Sequence, residues 1–285
     1  MNNIKQLLSR LQMDMALRGM SEHTQRSYIQ HVEKFLQSRK RPTDEIHERE
    51  AREFLIEMMR ENKVSNVTLN SYNAAIRMFF AVTLNRSINY LQFPRFKVKK
   101  KLPEILSREE VSRMINSCVN VKHKSFLMLA YGSGLRVSEI IKLRLSDIDS
   151  KTMRIFVQDG KGGKDRYTIL SNECLCVLRE YWMLYRPNHP EGWLFPGMKN
   201  VDHITSDAVK NAFDKQIKIT GITKNVSIHT LRHCFATQLL EDGVDLFRIK
   251  ELLGHASMNS TTVYLHLANT STGITSPADK FIYND

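Results

Sequence analysis

Six side chains in this sequence stand where they could act on an anion: Arg136, Lys161, His229, Arg232, His255 and Tyr264. Arg136 lies in "GLRVSEIIKL", at a glycine-containing helix junction, where it could cap a helix, pair with Glu139 or offer its guanidinium to a ligand. His229 and Arg232, in "HTLRH", are three positions apart and share one helical face. Two cationic donors on one face suit a group with several oxygens, such as phosphate. Lys161 and Lys164 sit in the glycine-rich turn "GKGGKD". The turn is not a P-loop, because the GxxxxGK[ST] spacing is absent. A lysine there is ordinarily solvated, yet a hairpin tip can reach a bound phosphate. His255 and Tyr264 belong to "LLGHASMNSTTVYLHL". In one unbroken helix, nine residues at about 100° each would point them in opposite directions. The sequence supplies a break instead. Gly254 favours a helix end, and Ser257, Asn259 and Ser260 offer caps for a second helix, whose start the β-branched run Thr261–Val263 weakens. A corner between two short helices lets both side chains face one cleft.

The elements that must position these groups read as mainly helical. Up to about residue 92, 3.6-residue stripes recur: Tyr28, Ile29, Val32, Phe35 and Leu36, then Leu69, Tyr72, Ile76 and Phe79. A further helix is expected to open on Thr43 as cap, with acids in its first turn. No strand is evident in this part. "FPRFKVKKKLPEILSREE" comes next, with prolines bracketing Lys97, Lys99, Lys100 and Lys101. It reads as a basic linker, either a solvated tether or a strap across a phosphate backbone. Ser107 and Glu110 then form a capping-box pattern. The apolar "SFLMLAYGSG" is a further helix. "TMRIFVQDGKGGKDRYTILS" is a β-hairpin, because strand formers flank its glycines. Helical patterning resumes from Ser206.

Bulk composition narrows the partners. The 285 residues carry 42 Lys plus Arg against 30 acids, a net charge of +12. A polyanion is the expected partner, nucleic acid ahead of a membrane surface. No run of about 18 apolar residues exists to span a bilayer. Cys118, Cys174, Cys176 and Cys234 form no CxxC pair and no metal-site spacing, which suggests free thiols in a reducing cytoplasm.

Taken together, "GLRVSEIIKL", "GKGGKDR", "HTLRHCFATQLLEDG" and "LLGHASMNSTTVYLH" resemble the tyrosine recombinase (phage integrase) family, over residues 102 to about 268. The "SEHTQRSY" helix resembles that family's helical core-binding domain. The resemblance implies a mainly α fold with a small β-sheet, in two domains. They are a helical core-binding domain over 1–93 and an α+β catalytic domain over 105–285, joined by a basic linker at 94–104. It implies site-specific DNA strand exchange through a covalent 3′-phosphotyrosyl intermediate and a Holliday junction. Arg136, Lys161, His229, Arg232, His255 and Tyr264 fill the family's catalytic positions in the family's order. Tyr264 would be the nucleophile, and Arg136 and Arg232 the phosphate clamp. His229 and His255 would donate hydrogen bonds, with His229 the better candidate for the tyrosine's proton. Lys161 would be the general acid, with Lys164 its rival. No metal or other cofactor is implied, and the partner is duplex DNA with inverted-repeat sites, bound by a homotetramer that clamps the duplex. The C-terminal tail is expected to dock into a neighbouring protomer. Cys234 stands where the family often has a small hydroxyl residue. The compact length suggests a Xer-like or transposon-type enzyme rather than a lambda-type integrase. Two other readings are a type IB topoisomerase, which relaxes DNA without exchanging partners, and a non-catalytic DNA-binding protein.

Overall fold

A computed structural model describes residues 2–39, 45–61, 64–89, 92–98, 102–160, 164–198 and 202–268. Its contacts divide into two units, Met1–Lys100 and Lys101–Asp285.

The first unit is built from α1 (Asn2–Ala16), α2 (Glu22–Ser38), α3 (Glu48–Glu61) and α4 (Asn66–Met78), with a π-helical turn at Phe79–Thr83. Ser21 and Ser65 cap α2 and α4 by accepting from Thr24 N and Thr68 N. The apolar stripes turn inward as their spacing requires: Val32, Phe35 and Leu36 on α2 and Leu69, Tyr72 and Ile76 on α4 are all buried. Phe35 packs against Phe54 and Phe80 with ring centroids 5.3 and 6.3 Å away. α3 starts later than the sequence suggested, at Glu48; Thr43 lies outside the described residues. Glu50 accepts from His47 N, Ile46 is buried, and Arg86 donates to Ile46 O. That anchored stretch takes the chain into the helix. The start of the expected linker is also held: Asn73 donates to Phe93 O and Pro94 O, Asn70 pairs both ways with Phe96, and Asn66 donates to Lys97 O. Lys99–Lys101 lie outside the described residues.

In the second unit α5 (Arg108–Asn116) opens with the capping box, since Ser107 Oγ accepts from Glu110 N and Glu110 Oε2 accepts from Ser107 N. α6 (Val121–Gly132) is apolar around most of its circumference and runs through the core. The short α7 (Val137–Ile141) leads to a three-stranded antiparallel sheet of β1 (Ile148–Asp149), β2 (Arg154–Gly160) and β3 (Lys164–Ile169), in that order. The hairpin forms as expected, with Ile155 facing Thr168, and an irregularity between Val157 and Gly160. Two-residue β1 was beyond the pattern reading. α8 (Asn172–Tyr185), α9 (Ser206–Thr220), α10 (Ile228–Glu241) and α11 (Leu246–Leu253) complete the unit. Two short 3-10 segments, Met258–Ser260 and Thr262–His266, come last. Gly254 ends α11 at φ +62°, a left-handed conformation that glycine adopts without steric cost. Phe235, Ala236, Ile249, Leu253 and Tyr264 form a small core of their own between α10, α11 and the last 3-10 segment. No helix among the described residues is long and apolar enough to cross a membrane.

Candidate active site

One carboxylate organises the cationic side chains. Glu139 sits in the first turn of α7, and its Oε2 accepts from Arg136 N at 2.8 Å, closing the helix start. Its Oε1 pairs with Arg136 NH1 at 2.7 Å. Arg166, from β3, grips the same carboxylate with both terminal nitrogens at 2.9 and 2.8 Å. Arg232, from α10, approaches Oε2 at 3.6 Å. Glu139 is buried, which alone would raise its pKa; the Arg166 and Arg136 contacts outweigh burial and hold the carboxyl down to about 2.

Arg232 is 1 % exposed. Its NH1 donates to Gly134 O and its NH2 to Leu253 O, both at 2.6 Å. These bonds tie α10 to the loop before α7 and to the end of α11. Burial and neighbouring Arg136 push its pKa down to about 9 against the pull of Glu139, so it remains a cation at neutral pH. Arg166 Nε donates to Leu252 O at 2.8 Å. Its side chain lies so close under Gly254 that a Cβ there would meet Cδ at 2.8 Å.

The break predicted between His255 and Tyr264 is present, and it brings the two rings together: centroids 6.2 Å apart, planes within 13°. Ser257 Oγ accepts from Asn259 N at the start of the first 3-10 segment. His255 Nδ1 lies 2.9 Å from Thr261 Oγ1, a fully buried hydroxyl. Burial, then Arg232 and Arg136, lower the His255 pKa to about 3, so the ring is neutral. Tyr264 is 1 % exposed. Burial raises its pKa above the usual phenol value, against the opposing pull of Arg232 and Arg136. Its hydroxyl partner is not His229 but His233, whose Nδ1 is 3.2 Å away. His229 stands one turn earlier on α10, edge-on to His233 at 4.8 Å between centroids.

Arg136, His229, Arg232, His255 and Tyr264 thus converge from three stretches of chain. Lys161 lies outside the described residues, and Lys164 is placed only as the first residue of β3.

A family model described as "Phage integrase family" matches residues 104–271, and one described as "Phage integrase, N-terminal SAM-like domain" matches residues 7–90. The chain belongs to the phage integrase family. A putative integrase/recombinase, y4qK, of Sinorhizobium fredii is 38% identical over 271 residues, covering 95% of this chain and 87% of the relative. Tyrosine recombinase XerA of Pyrococcus horikoshii is 34% identical, over 87% of this chain and 84% of its own length. Among solved structures, XerH recombinase bound to difH substrate in a pre-cleavage complex shares the fold, with a TM-score of 0.69 at 23% identity over 90% of this chain and 79% of that one. The protein is a tyrosine-type site-specific DNA recombinase, not a relaxing topoisomerase or a purely binding protein.

Beside the recombinase's His255 a cavity of about 400 Å³ opens, lined by Asp165, Arg166, Lys250, Glu251, Gly254, His255 and Ala256. In the SAM-like unit a groove of about 640 Å³ is lined by Arg18, Arg77 and Arg95 together with Asn70 and Asn73. Among the described residues no group of three or more His, Cys, Asp or Glu gathers in metal-holding geometry. Three participants escaped the sequence reading: Arg166, His233 and Thr261. His233 had a visible signal, since it lies four positions after His229 and so shares its helical face. Arg166 and Thr261 had none, because their roles depend on contacts between distant elements.

Proposed function

We propose that Tyr264 attacks a backbone phosphorus of duplex DNA, and that Arg136 and Arg232 hold that phosphate. The phenol oxygen–phosphorus bond forms as the bond to the 5′ oxygen breaks, leaving a 3′-phosphotyrosyl link. Attack concentrates negative charge on the non-bridging oxygens. Two planar guanidiniums answer that charge, each such donor contributing roughly 2.7–4 kcal/mol by analogy with oxyanion-hole deletions. When the Thr261 hydroxyl donates to His255 Nδ1, the His255 Nε2–H is left to donate to a phosphate oxygen. His229, in the first turn of α10, takes the phenol's proton as the new bond forms and stays hydrogen-bonded at the site. Lys161 protonates the leaving 5′ oxygen. The link preserves the energy of the broken bond, so rejoining to a second strand needs no external energy source.

The reading is carried by one observation. Arg136 and Arg232 meet at Glu139, and the stacked rings of His255 and Tyr264, more than a hundred positions after Arg136, lie within electrostatic reach of both guanidiniums. Exchange between two duplexes takes four cleavages, so the working form is a homotetramer on paired inverted-repeat sites. The arginines of the SAM-like unit's groove add phosphate contacts, and the basic linker strengthens them. The protein acts in the cytoplasm, on the nucleoid, in a Xer-like or transposon-type reaction. C-terminal docking between protomers concerns residues outside those described.

Trapped complexes test the reading. The wild type is incubated with fragmented genomic DNA, covalent complexes are isolated under denaturing conditions, and the joined DNA is sequenced and rebuilt as a nicked duplex. Tyr264→Phe is expected to bind that duplex within a few-fold of wild type and to form no adduct. An adduct in that variant, attached at another residue, would remove Tyr264 from the nucleophile's role.

A further inference from the structure

We infer that His233 is the positioning residue for the Tyr264 hydroxyl. The inference rests on Tyr264 being the nucleophile. Among the described residues, His233 Nδ1, at 3.2 Å, is the one hydrogen-bond partner of the phenol oxygen. Tyr264 itself rides on a 3-10 segment, Thr262–His266, whose hydrogen bonds are geometrically poorer than those of an α-helix. Its own backbone therefore fixes the hydroxyl loosely. α10 is the opposite case, with nine consecutive or near-consecutive residues from Ile228 to Gln238 buried in the unit's interior. Arg232 and His233 are neighbours on that helix. Arg232 is pinned by Gly134 O and Leu253 O, and His233 reaches the phenol. One rigid element thus references the nucleophile's oxygen to the arginine that holds its target.

The chemistry of the ring agrees with direction rather than deprotonation. Burial first, then His229 and Arg232, hold the His233 pKa near 4. The phenol is displaced the other way. A neutral imidazole of such low basicity leaves the proton on oxygen and accepts the O–H as a hydrogen bond. What it contributes is alignment, and misplacing an attacking atom by about 1 Å can cost on the order of 100-fold in rate.

The test uses the full chain and the nicked duplex recovered from trapped wild-type complexes. The measurements are the single-turnover rate of covalent complex formation at saturating DNA and the Kd for that duplex. His233→Ala should slow covalent complex formation by roughly 10- to 100-fold while leaving Kd within about twofold. His233→Asn, whose amide can reach the same oxygen, should recover most of the rate. In ¹⁵N-histidine-labelled protein, the Nδ1 resonance of His233 should have the position of an unprotonated, hydrogen-bonded nitrogen and should move in Tyr264→Phe; this readout needs no change at position 233. Cleavage by His233→Ala at the wild-type rate would overturn the inference. So would His233→Asn as slow as His233→Ala, a parallel loss of DNA affinity, or an Nδ1 resonance indifferent to Tyr264→Phe. An adduct persisting in Tyr264→Phe sinks the nucleophile assignment itself, whereas a fast His233→Ala beside an inert Tyr264→Phe sinks only the role of His233.

Discussion

Glu139→Gln exchanges a carboxylate for an amide of the same shape at the meeting point of Arg136, Arg166 and Arg232. The folded pKa of Glu139, about 2 against a reference of 4.5, sets the scale. At about 1.4 kcal/mol per unit this displacement corresponds to roughly 3 kcal/mol of folding stability. Because the folded value is depressed, that stability is complete above the unfolded pKa and is lost as pH falls through the folded one. At pH 7 it is therefore fully present. The amide also turns an N–H₂ group towards guanidinium donors, and breaking a buried ion pair typically costs about 3–5 kcal/mol. For a unit of this size each kcal/mol moves the melting point by about 2–4 °C, so Glu139→Gln should melt roughly 6–20 °C below wild type at pH 7. The half-exposed Arg144–Glu191 pair is the control: Glu191→Gln should shift melting by less than about 3 °C, as screened surface pairs do. Circular dichroism melts of the three proteins at pH 7 and at pH 3 make the comparison. The gap between wild type and Glu139→Gln should narrow at the lower pH. A Glu139→Gln melt indistinguishable from that of Glu191→Gln at pH 7 would refute the reasoning.

Gly254→Ala places a Cβ 2.8 Å from Arg166 Cδ on a residue at φ +62°. It should cost about 2–4 kcal/mol, read as a lower urea midpoint, while Gly243→Ala, at φ +82° with nothing within 4 Å, should cost only about 1 kcal/mol. His255 is kept neutral in the fold, with its pKa near 3. Between pH 6.5 and 5 the unfolded chain gains a proton that the folded one refuses, so stability should drop by about 1 kcal/mol from this residue once its partial solvent exposure is allowed for. His255→Gln should flatten that part of the stability–pH curve, and an unchanged slope would contradict the assignment. Lys161→Ala should cleave ordinary DNA slowly and be rescued by a duplex whose leaving 5′ oxygen is sulfur, because a thiolate leaves without a proton; absence of rescue points to Lys164.

Local pattern carried much of the fold. The α2 and α4 stripes, the Ser107 box, the hairpin and the Gly254 break are each short-range effects of spacing, capping or glycine conformation, and each is legible in a few residues. The start of α3 was not, because the burial of Ile46 and a hydrogen bond to its carbonyl from Arg86, 40 positions later, hold the chain open before Glu48. The site divides in the same way. "HTLRH" and "GHASMNSTTVY" present their chemistry in sequence, and the three-residue spacing of Arg136 and Glu139 already offers that pair. That Glu139 also binds Arg166, 27 positions later on a strand, is a tertiary fact. The hydroxyl of Tyr264 found His233 rather than His229 because α10 turns the later ring towards the last 3-10 segment, an orientation that helical spacing alone does not settle.

The near-complete burial of Tyr264 bears on safety as well as on reactivity. If Tyr264 is the nucleophile, as proposed, it would be dangerous in proportion to how readily it meets a stray phosphodiester. Here it sits inside a small apolar nest, and lifting an aromatic ring from such a place into water costs on the order of 2–3 kcal/mol. Loose encounters with DNA leave that sum unmet. On the proposed reading a phosphate must instead be brought to the phenol where it lies, beside His233 and Arg232, so the fold itself would shield passing strands from it.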